Sequence, residues 1–221
     1  MTKVLGVLGG MGPAATVAFL ARVQTLTPAQ GDADHIRVVM DMNPQVPDRN
    51  TRPGEAEAEL AAMATRLKAA GAEVLAMPCN TAHAQKAGIM AAGLPFIDMI
   101  AETVAAAKAH DAGAIGILAT PGGEALYRAA LGAEGLRAVV LGGEDRDAFM
   151  ACIYAVKRGD VRPERRAEMR RLAETLNAAG ADAVIAGCTE VPLLLDASDV
   201  PVPLVDSAEV LARACVEVCR A

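Results

Sequence analysis

Gly71-Ala72-Glu73-Val74-Leu75-Ala76-Met77-Pro78-Cys79-Asn80-Thr81 has a counterpart later in the chain, Gly180-Ala181-Asp182-Ala183-Val184-Ile185-Ala186-Gly187-Cys188-Thr189, with its cysteine 109 residues further on. Each run opens on a glycine and passes through an apolar stretch of strand length. Each reaches a cysteine with a threonine shortly after it, Thr81 two places on or Thr189 one place on, able to cap the next helix. Two more pairs flank these runs in the same order. Val4-Leu5-Gly6-Val7-Leu8 matches Ala114-Ile115-Gly116-Ile117-Leu118 at an offset of 110, and Leu94-Pro95-Phe96-Ile97-Asp98 matches Val202-Pro203-Leu204-Val205-Asp206 at 108. Three ordered matches at a nearly constant offset imply two halves with one fold.

Working outward, short apolar strands alternate with helical stretches rich in Ala, Leu and Arg, such as Glu55 to Ala70 and Pro163 to Ala179, each closed by a glycine. Such alternation is the pattern of parallel α/β sheets. The expected architecture is therefore two similar parallel-sheet α/β domains related by a pseudo-twofold axis. Residues 1–98 with a C-terminal helix over about 207–221 form the first, and residues 99–206 the second. Ligands of such sheets sit beyond the carboxyl ends of the strands. Cys79 and Cys188 both fall there, which predicts an active site in the cleft between the domains with one thiol on each wall.

Composition narrows the partners. The 221 residues carry 21 Lys+Arg against 27 Asp+Glu, a formal charge of −6, and 53% hydrophobic residues, as in a soluble globular protein. Neither disorder nor a collagen-like chain fits. With a pI near 5.1, two Tyr, three Phe and no Trp, the chain offers nucleic acid neither a basic surface nor a stacking platform. Five irregularly spaced cysteines without a CxxC pair suggest neither a disulfide framework nor a zinc site, and reduced thiols in a cytoplasm fit better. The uncharged run from Val4 to Ala21 superficially resembles a signal peptide or membrane span, but Gly9-Gly10-Met11-Gly12-Pro13 breaks it, so it reads as strand, turn and helix.

Two thiols on opposite sides of a substrate suit a reaction that takes a proton from one face of a carbon and returns one to the other: racemisation or epimerisation. A thiol has an ordinary pKa of about 8.5, and a helix N-terminus lowers it, so one cysteine can serve as thiolate base while the other is the acid. The Cα proton of an amino acid is weakly acidic, so donors must stabilise the developing enolate; Asn80, Thr81 and Thr189 adjoin the thiols and can supply them. None of Lys3, Lys68, Lys86, Lys108 or Lys157 has the context of a pyridoxal Schiff base, and the reading is cofactor-independent. The Gly9–Pro13 turn lacks a dinucleotide or phosphate-loop fingerprint, and its amides can instead face a carboxylate.

Four blocks, LGGMGPAAT (Leu8 to Thr16), NPQVPDR (Asn43 to Arg49), MPCNTAH (Met77 to His83) and AGCTEV (Ala186 to Val191), resemble the aspartate/glutamate racemase family, its aspartate racemase branch in particular, over residues 4 to about 210. The resemblance implies a pyridoxal-independent two-thiol racemase of an acidic amino acid, usually a homodimer and without a metal, with Cys79 and Cys188 as paired acid and base. It further implies that Arg49 and Lys157 hold the side-chain carboxylate and that Asn80, Thr81, Ala82 and Thr120 hold the amino-acid head, with Met11, Asn50 and Thr189 completing the substrate-binding set. Arg suits a carboxylate fork and Lys a point charge. This chain departs from the family in entering its helix early after Asp48-Arg49-Asn50-Thr51-Arg52-Pro53, and in Thr120-Pro121-Gly122-Gly123 where a Thr-x-Gly-Thr turn is usual; both changes bear on substrate preference.

Other residues read as structural. Cys152, Cys215 and Cys219 lie on apolar helical stretches and suit packing. Asp98 and Asp206 end matching strands and suit helix capping, His35 and His110 fall in loops, and the Arg162 to Arg171 cluster suits a solvated face. His83, four residues after Cys79, can tune that thiol or make a helix-turn hydrogen bond. Two other functions share these features: a sister reaction such as malonate-type decarboxylation or maleate isomerisation, which needs one thiol, and a non-catalytic protein that binds dicarboxylates.

Overall fold

Short parallel strands, apolar throughout at the sheet centres, build both halves of the chain. The computed structural model describes residues 2–221. They divide into two units, one running to Glu102 and taking in Ala208–Ala221, the other Thr103–Ser207. The boundaries expected from the sequence, 98/99 and 206/207, lie four residues and one residue before these. In the first unit, β1 (Leu5–Gly9), β2 (Val38–Met42), β3 (Val74–Ala76) and β4 (Phe96–Ile97) form a parallel sheet in the order β2-β1-β3-β4. In the second, β5 (Ala114–Leu118), β6 (Arg137–Val140), β7 (Ala183–Ala186) and β8 (Leu204–Asp206) form another in the order β6-β5-β7-β8. One topology thus serves both units, as the repeated strands anticipated.

Helices explain why the central strands are uninterruptedly apolar. Along β1, Leu5 and Val7 pack with Phe19 and Val23 of α1 (Pro13–Leu26) and with Leu211, Cys215 and Cys219 of α8 (Ser207–Arg220). Leu8 faces the other way, with Leu75 and Met77, against Leu60, Met63 and Leu67 of α2 (Pro53–Ala69). Covered on both faces, β1, β3, β5 and β7 are buried at every residue, whereas the edge strands β2 and β6 are only partly so. In the second unit, Ala114, Leu118, Val184 and Ala186 pack on Phe149 and Ile153 of α6 (Gly143–Lys157) and on Met169, Leu172 and Leu176 of α7 (Pro163–Ala178). Cys152, Cys215 and Cys219 are buried packing residues, as read from the sequence, and none of the five cysteines forms a disulfide.

Local signals account for the ends of the elements. α2 and α7 stop at Gly71 (φ +94°) and Gly180 (φ +87°), where the left-handed backbone turns the chain toward β3 and β7. Asp98 Oδ1 accepts the backbone N–H groups of Ile100 and Ala101 and so caps α4 (Met99–Lys108), while its other oxygen takes Lys86 Nζ at 2.5 Å. The Val4 to Ala21 run resolves into β1, a turn and α1. Among the described residues no helix is long and apolar enough to cross a membrane. The arginine cluster opening α7 is ion-paired and solvated: Arg162 and Arg165 meet Asp160, Arg171 meets Asp145 and Glu168, and Arg170 meets Asp199.

The repeated glycine of the two N-terminal strands has a steric cause. A Cβ on Gly6 would lie 2.7 Å from both Ala72 Cβ and Leu75 Cδ2, and one on Gly116 would lie 3.1 to 3.2 Å from Leu176, Val184 and Ala181. Each glycine lets a connecting segment lie against the sheet. Gly6→Ala is expected to destabilise the protein by roughly 1–3 kcal/mol through overpacking, and Gly116→Ala by less because its contacts are looser. Urea denaturation of the two variants checks the order.

Candidate active site

Because every strand of each sheet runs the same way, the chemistry-bearing turns of each unit collect at one edge. In the first unit these are the β1–α1 turn with Met11, the β2–α2 connection with Arg49 and Asn50, and the turn after β3 with Cys79, Asn80, Thr81 and Ala82. In the second they are the β5–α5 turn with Thr120, preceding α5 (Pro121–Ala133), and the turn after β7 with Cys188 and Thr189. Lys157 ends α6. Since α7 finishes where β7 begins, it starts at the opposite edge, and this returns Lys157 to the side of Cys188.

The β1–α1 turn is held from within. Thr16, fully buried, accepts the Gly10 N–H at 2.9 Å on its hydroxyl and donates that hydroxyl to the Gly12 carbonyl at 2.9 Å. A Cβ on Gly10 would meet the Asn43 backbone at 2.5 to 2.7 Å, so only glycine lets the first two connections close on each other. The Gly10 amide is therefore spent inside the protein and does not await a carboxylate. The Met11 side chain packs in the core with Leu8, Val46 and Leu60.

Arg49 stands in a short loop tied by Asp48, whose carboxylate accepts the N–H groups of Asn50 and Thr51 and the Thr51 hydroxyl. Those backbone donors hold the Asp48 carboxyl below the usual carboxylate range. Asn50 is exposed. The half-buried Arg49 is poorly satisfied: Nη1 makes two long 3.5 Å contacts with the Val46 and Pro47 carbonyls, and Nε is buried without a partner. A buried guanidinium donor left unpaired is costly, and a carboxylate is the acceptor that suits it.

Cys79 is 5% exposed. It sits in a tight turn, its N–H donating to the Met77 carbonyl at 2.8 Å. His83, 2% exposed, lies behind it. The Met99 N–H donates to Nε2 at 3.1 Å, so that nitrogen carries no proton; Nδ1 does, and donates to the Cys79 carbonyl at 2.9 Å. His83 thus ties the cysteine turn to the start of α4 as a neutral imidazole. Of the two roles open to it, the structure displays the backbone one. Burial holds its imidazole below the ordinary range, outweighing the Cys79 carbonyl and the Asp98 charge.

Cys188, 8% exposed, has a different neighbour. Its thiol donates to Glu190 Oε2 at 2.9 Å, and the Thr189 hydroxyl donates to the same oxygen at 3.4 Å. Burial, then the Glu190 charge and hydrogen bond, push the Cys188 thiol well above its usual range, while the Glu190 N–H and the Lys157 charge oppose the rise. Lys157 itself is exposed over the Tyr154 ring, 5.9 Å from its centroid. Thr120, Thr189 and Asn80 are buried.

Neither Thr81 nor Thr189 caps a helix, contrary to the sequence expectation. Thr81 opens a short 3-10 turn, Thr81–Gln85, whose cap position is Asn80, and Thr189 precedes Glu190, which holds the cap position of the turn Val191–Leu193. Nor does a helix terminus lower the Cys188 thiol, because a three-residue turn has little dipole and the buried carboxylate acts the other way. Glu190 is the residue the sequence reading missed. It stood in the quoted AGCTEV block, two places after the cysteine, where the first half carries Thr81.

Comparison with known proteins adds to this geometry. Residues 8–215 match the Asp/Glu/Hydantoin racemase family. The broad specificity amino-acid racemase RacX of Bacillus subtilis (strain 168) is 28% identical over 221 residues, 96% of each chain. The aspartate racemase of Picrophilus torridus is 28% identical with a TM-score of 0.88, covering 99% of this chain and 94% of that one. A glutamate racemase, isoform RacE1 of Bacillus anthracis, shares the fold at 22% identity and a TM-score of 0.70, over 99% of this chain and 82% of its own.

The His83 geometry carries a pH dependence. Its folded-state pKa is depressed, so its contribution to stability is fully present above the unfolded value of about 6.5 and is lost progressively as pH falls from there through the folded pKa. His83→Gln is expected to remove that component and to cost about 2 kcal/mol at neutral pH by breaking buried hydrogen bonds. Urea midpoints of both proteins across the acidic range measure the difference.

Proposed function

The chain belongs to the Asp/Glu/hydantoin racemase family, and from that premise we propose that it racemises an acidic amino acid, aspartate foremost, by passing a proton between Cys79 and Cys188 without pyridoxal phosphate. The observation that carries this reading is the recurrence of a nearly buried thiol at the same strand end in both units of one topology. Deprotonation at Cα needs a base on one face and an acid on the other, and a duplicated turn supplies one thiol from each half.

The reaction divides into two proton transfers. One cysteine, as thiolate, takes the Cα hydrogen, and the electron pair of the broken C–H bond spreads into the carboxylate as an enolate. The second thiol then gives its proton to the opposite face, where the pair re-forms a C–H bond. The starting thiolate ends as thiol and the other as thiolate. Asn80, Thr81, Thr120 and Thr189 hold the amino-acid head and oppose the charge that develops on the enolate. The unpaired Nε of Arg49 supports its role as the fork for the side-chain carboxylate, with Lys157 as a second charge. Ala82, Asn50 and the Met11 backbone line the substrate.

A second reading, broader specificity, is favoured by the full-length likeness to a racemase described as broad in specificity. The two readings differ in what Arg49 is worth. Under the first, Arg49→Ala raises KM for aspartate by roughly ten- to a hundredfold, the worth of a charge-assisted hydrogen bond, and neutral amino acids turn over poorly in the unaltered protein.

Incubation with L- and D-aspartate, L-glutamate and L-alanine in heavy water, followed by NMR of Cα, is expected to show deuteration and inversion of the acidic substrates. Cys79→Ser and Cys188→Ser should each lower inversion by about 10²-fold or more, as loss of a general acid or base does. Inversion undiminished in either variant would exclude the two-thiol reaction.

A further inference from the structure

Glu190 has no counterpart in the first half, and its surroundings are unusual for a carboxylate. It is 3% exposed. Among the described residues its recorded partners are the Cys188 thiol at 2.9 Å and the Thr189 hydroxyl at 3.4 Å, both on Oε2, with no lysine or arginine at salt-bridge distance. A buried carboxylate without a cation depends on the protons its neighbours offer. The main chain of the same residue acts in the other sense, its N–H pointing at the sulfur. Glu190 thus grips both parts of the Cys188 thiol, the backbone holding the sulfur and the side chain holding its proton.

From this geometry, and resting on the two-thiol reading, we infer that Glu190 is a positioning residue that keeps the proton on Cys188 in the resting protein, so that Cys188 begins as the acid and Cys79 as the base. Among the described residues, the charged groups that bear on Cys188 are Glu190 from its own turn and Lys157 from α6. If the sulfur alone lost its proton, two negative charges would face each other at 2.9 Å in a buried site, offset by the Glu190 N–H and the Lys157 charge. The proton is therefore held until the enolate, a stronger base than any thiolate, is present to take it. In that step the S–H bond breaks, the enolate pair forms the new C–H bond, and Cys188 is left as a thiolate beside Glu190. Solvent then returns a proton to Cys188 and accepts the one gained by Cys79, which restores the starting state. At the matching place two residues after Cys79 stands Thr81.

The test is made on the full chain with Glu190→Gln, which keeps the shape and an acceptor but not the charge, and with Glu190→Asp, which keeps the charge but withdraws it from the sulfur. Alkylation of Cys188 by iodoacetamide without substrate is followed against pH by mass spectrometry of its peptide. In both variants the midpoint for Cys188 is expected to fall, by about one pH unit or more in Glu190→Gln, a tenfold gain in thiolate at a given pH below it. In racemisation assays the alkaline limb of kcat/KM should move down by the same amount while the acid limb stays, because that limb reports loss of the second thiol proton from the free enzyme. The change must be equal for L- and D-substrate, since their equilibrium constant is one.

Alkylation midpoints and an alkaline limb unmoved in Glu190→Gln, with its thermal melt unchanged, would overturn the positioning role even if racemisation proceeds. A shifted midpoint in a protein that exchanges no Cα hydrogen would instead remove the racemase reading and leave the grip of Glu190 on the Cys188 proton standing.

Discussion

Burial of the central strands on both faces is the constraint from which the rest follows. β1, β3, β5 and β7 lie between layers of helices, and no side chain along them can carry an unpaired polar group without a desolvation cost of several kcal/mol. Polar chemistry is thereby driven off the strands and into the turns where they end. Parallel pairing then puts all the ends of one sheet at one edge, so Cys79 joins Arg49 and Asn80 in one unit, and Cys188 joins Thr120 and Lys157 in the other. Steric details enforce the arrangement: Gly6 and Gly116 let connecting segments lie against the sheet, and Gly10 lets the first turn approach Asn43.

Equal topology does not give equal chemistry. Behind Cys79 stands a neutral imidazole whose two nitrogens are both occupied by backbone, an arrangement that fixes the turn and leaves the thiol to its other neighbours. Beside Cys188 stands a buried carboxylate that receives the thiol proton. A reaction with mirror-related halves does not need mirror-related thiols. It needs one group able to lose a proton and one able to give it, and a duplicated fold whose turns have diverged can supply the pair ready-sorted.

Much of the fold was legible because its signals are local. The offset of about 109 residues, the glycines after α2 and α7 and the wholly apolar runs each state a conformation in a few neighbouring residues, and all of them appear in the structure. Asp98 as a cap was legible for the same reason. The threonines after the cysteines misled because residue type marks a cap only where a helix begins on the next residue, and here short 3-10 turns begin at Thr81 and Val191 instead. His83 was readable as relevant but not as to its partner, since the N–H that fixes its tautomer belongs to Met99, sixteen residues away.

By itself the chain determined its periodicity, its duplication and the identity of the residues at its strand ends, because these depend only on neighbours along the backbone. The tertiary structure decided which of those residues are dry, which protons they share and which donors go unpaired. Glu190 gains its hold on Cys188, and Arg49 its unsatisfied Nε, only when packing removes the water that would otherwise have solvated both.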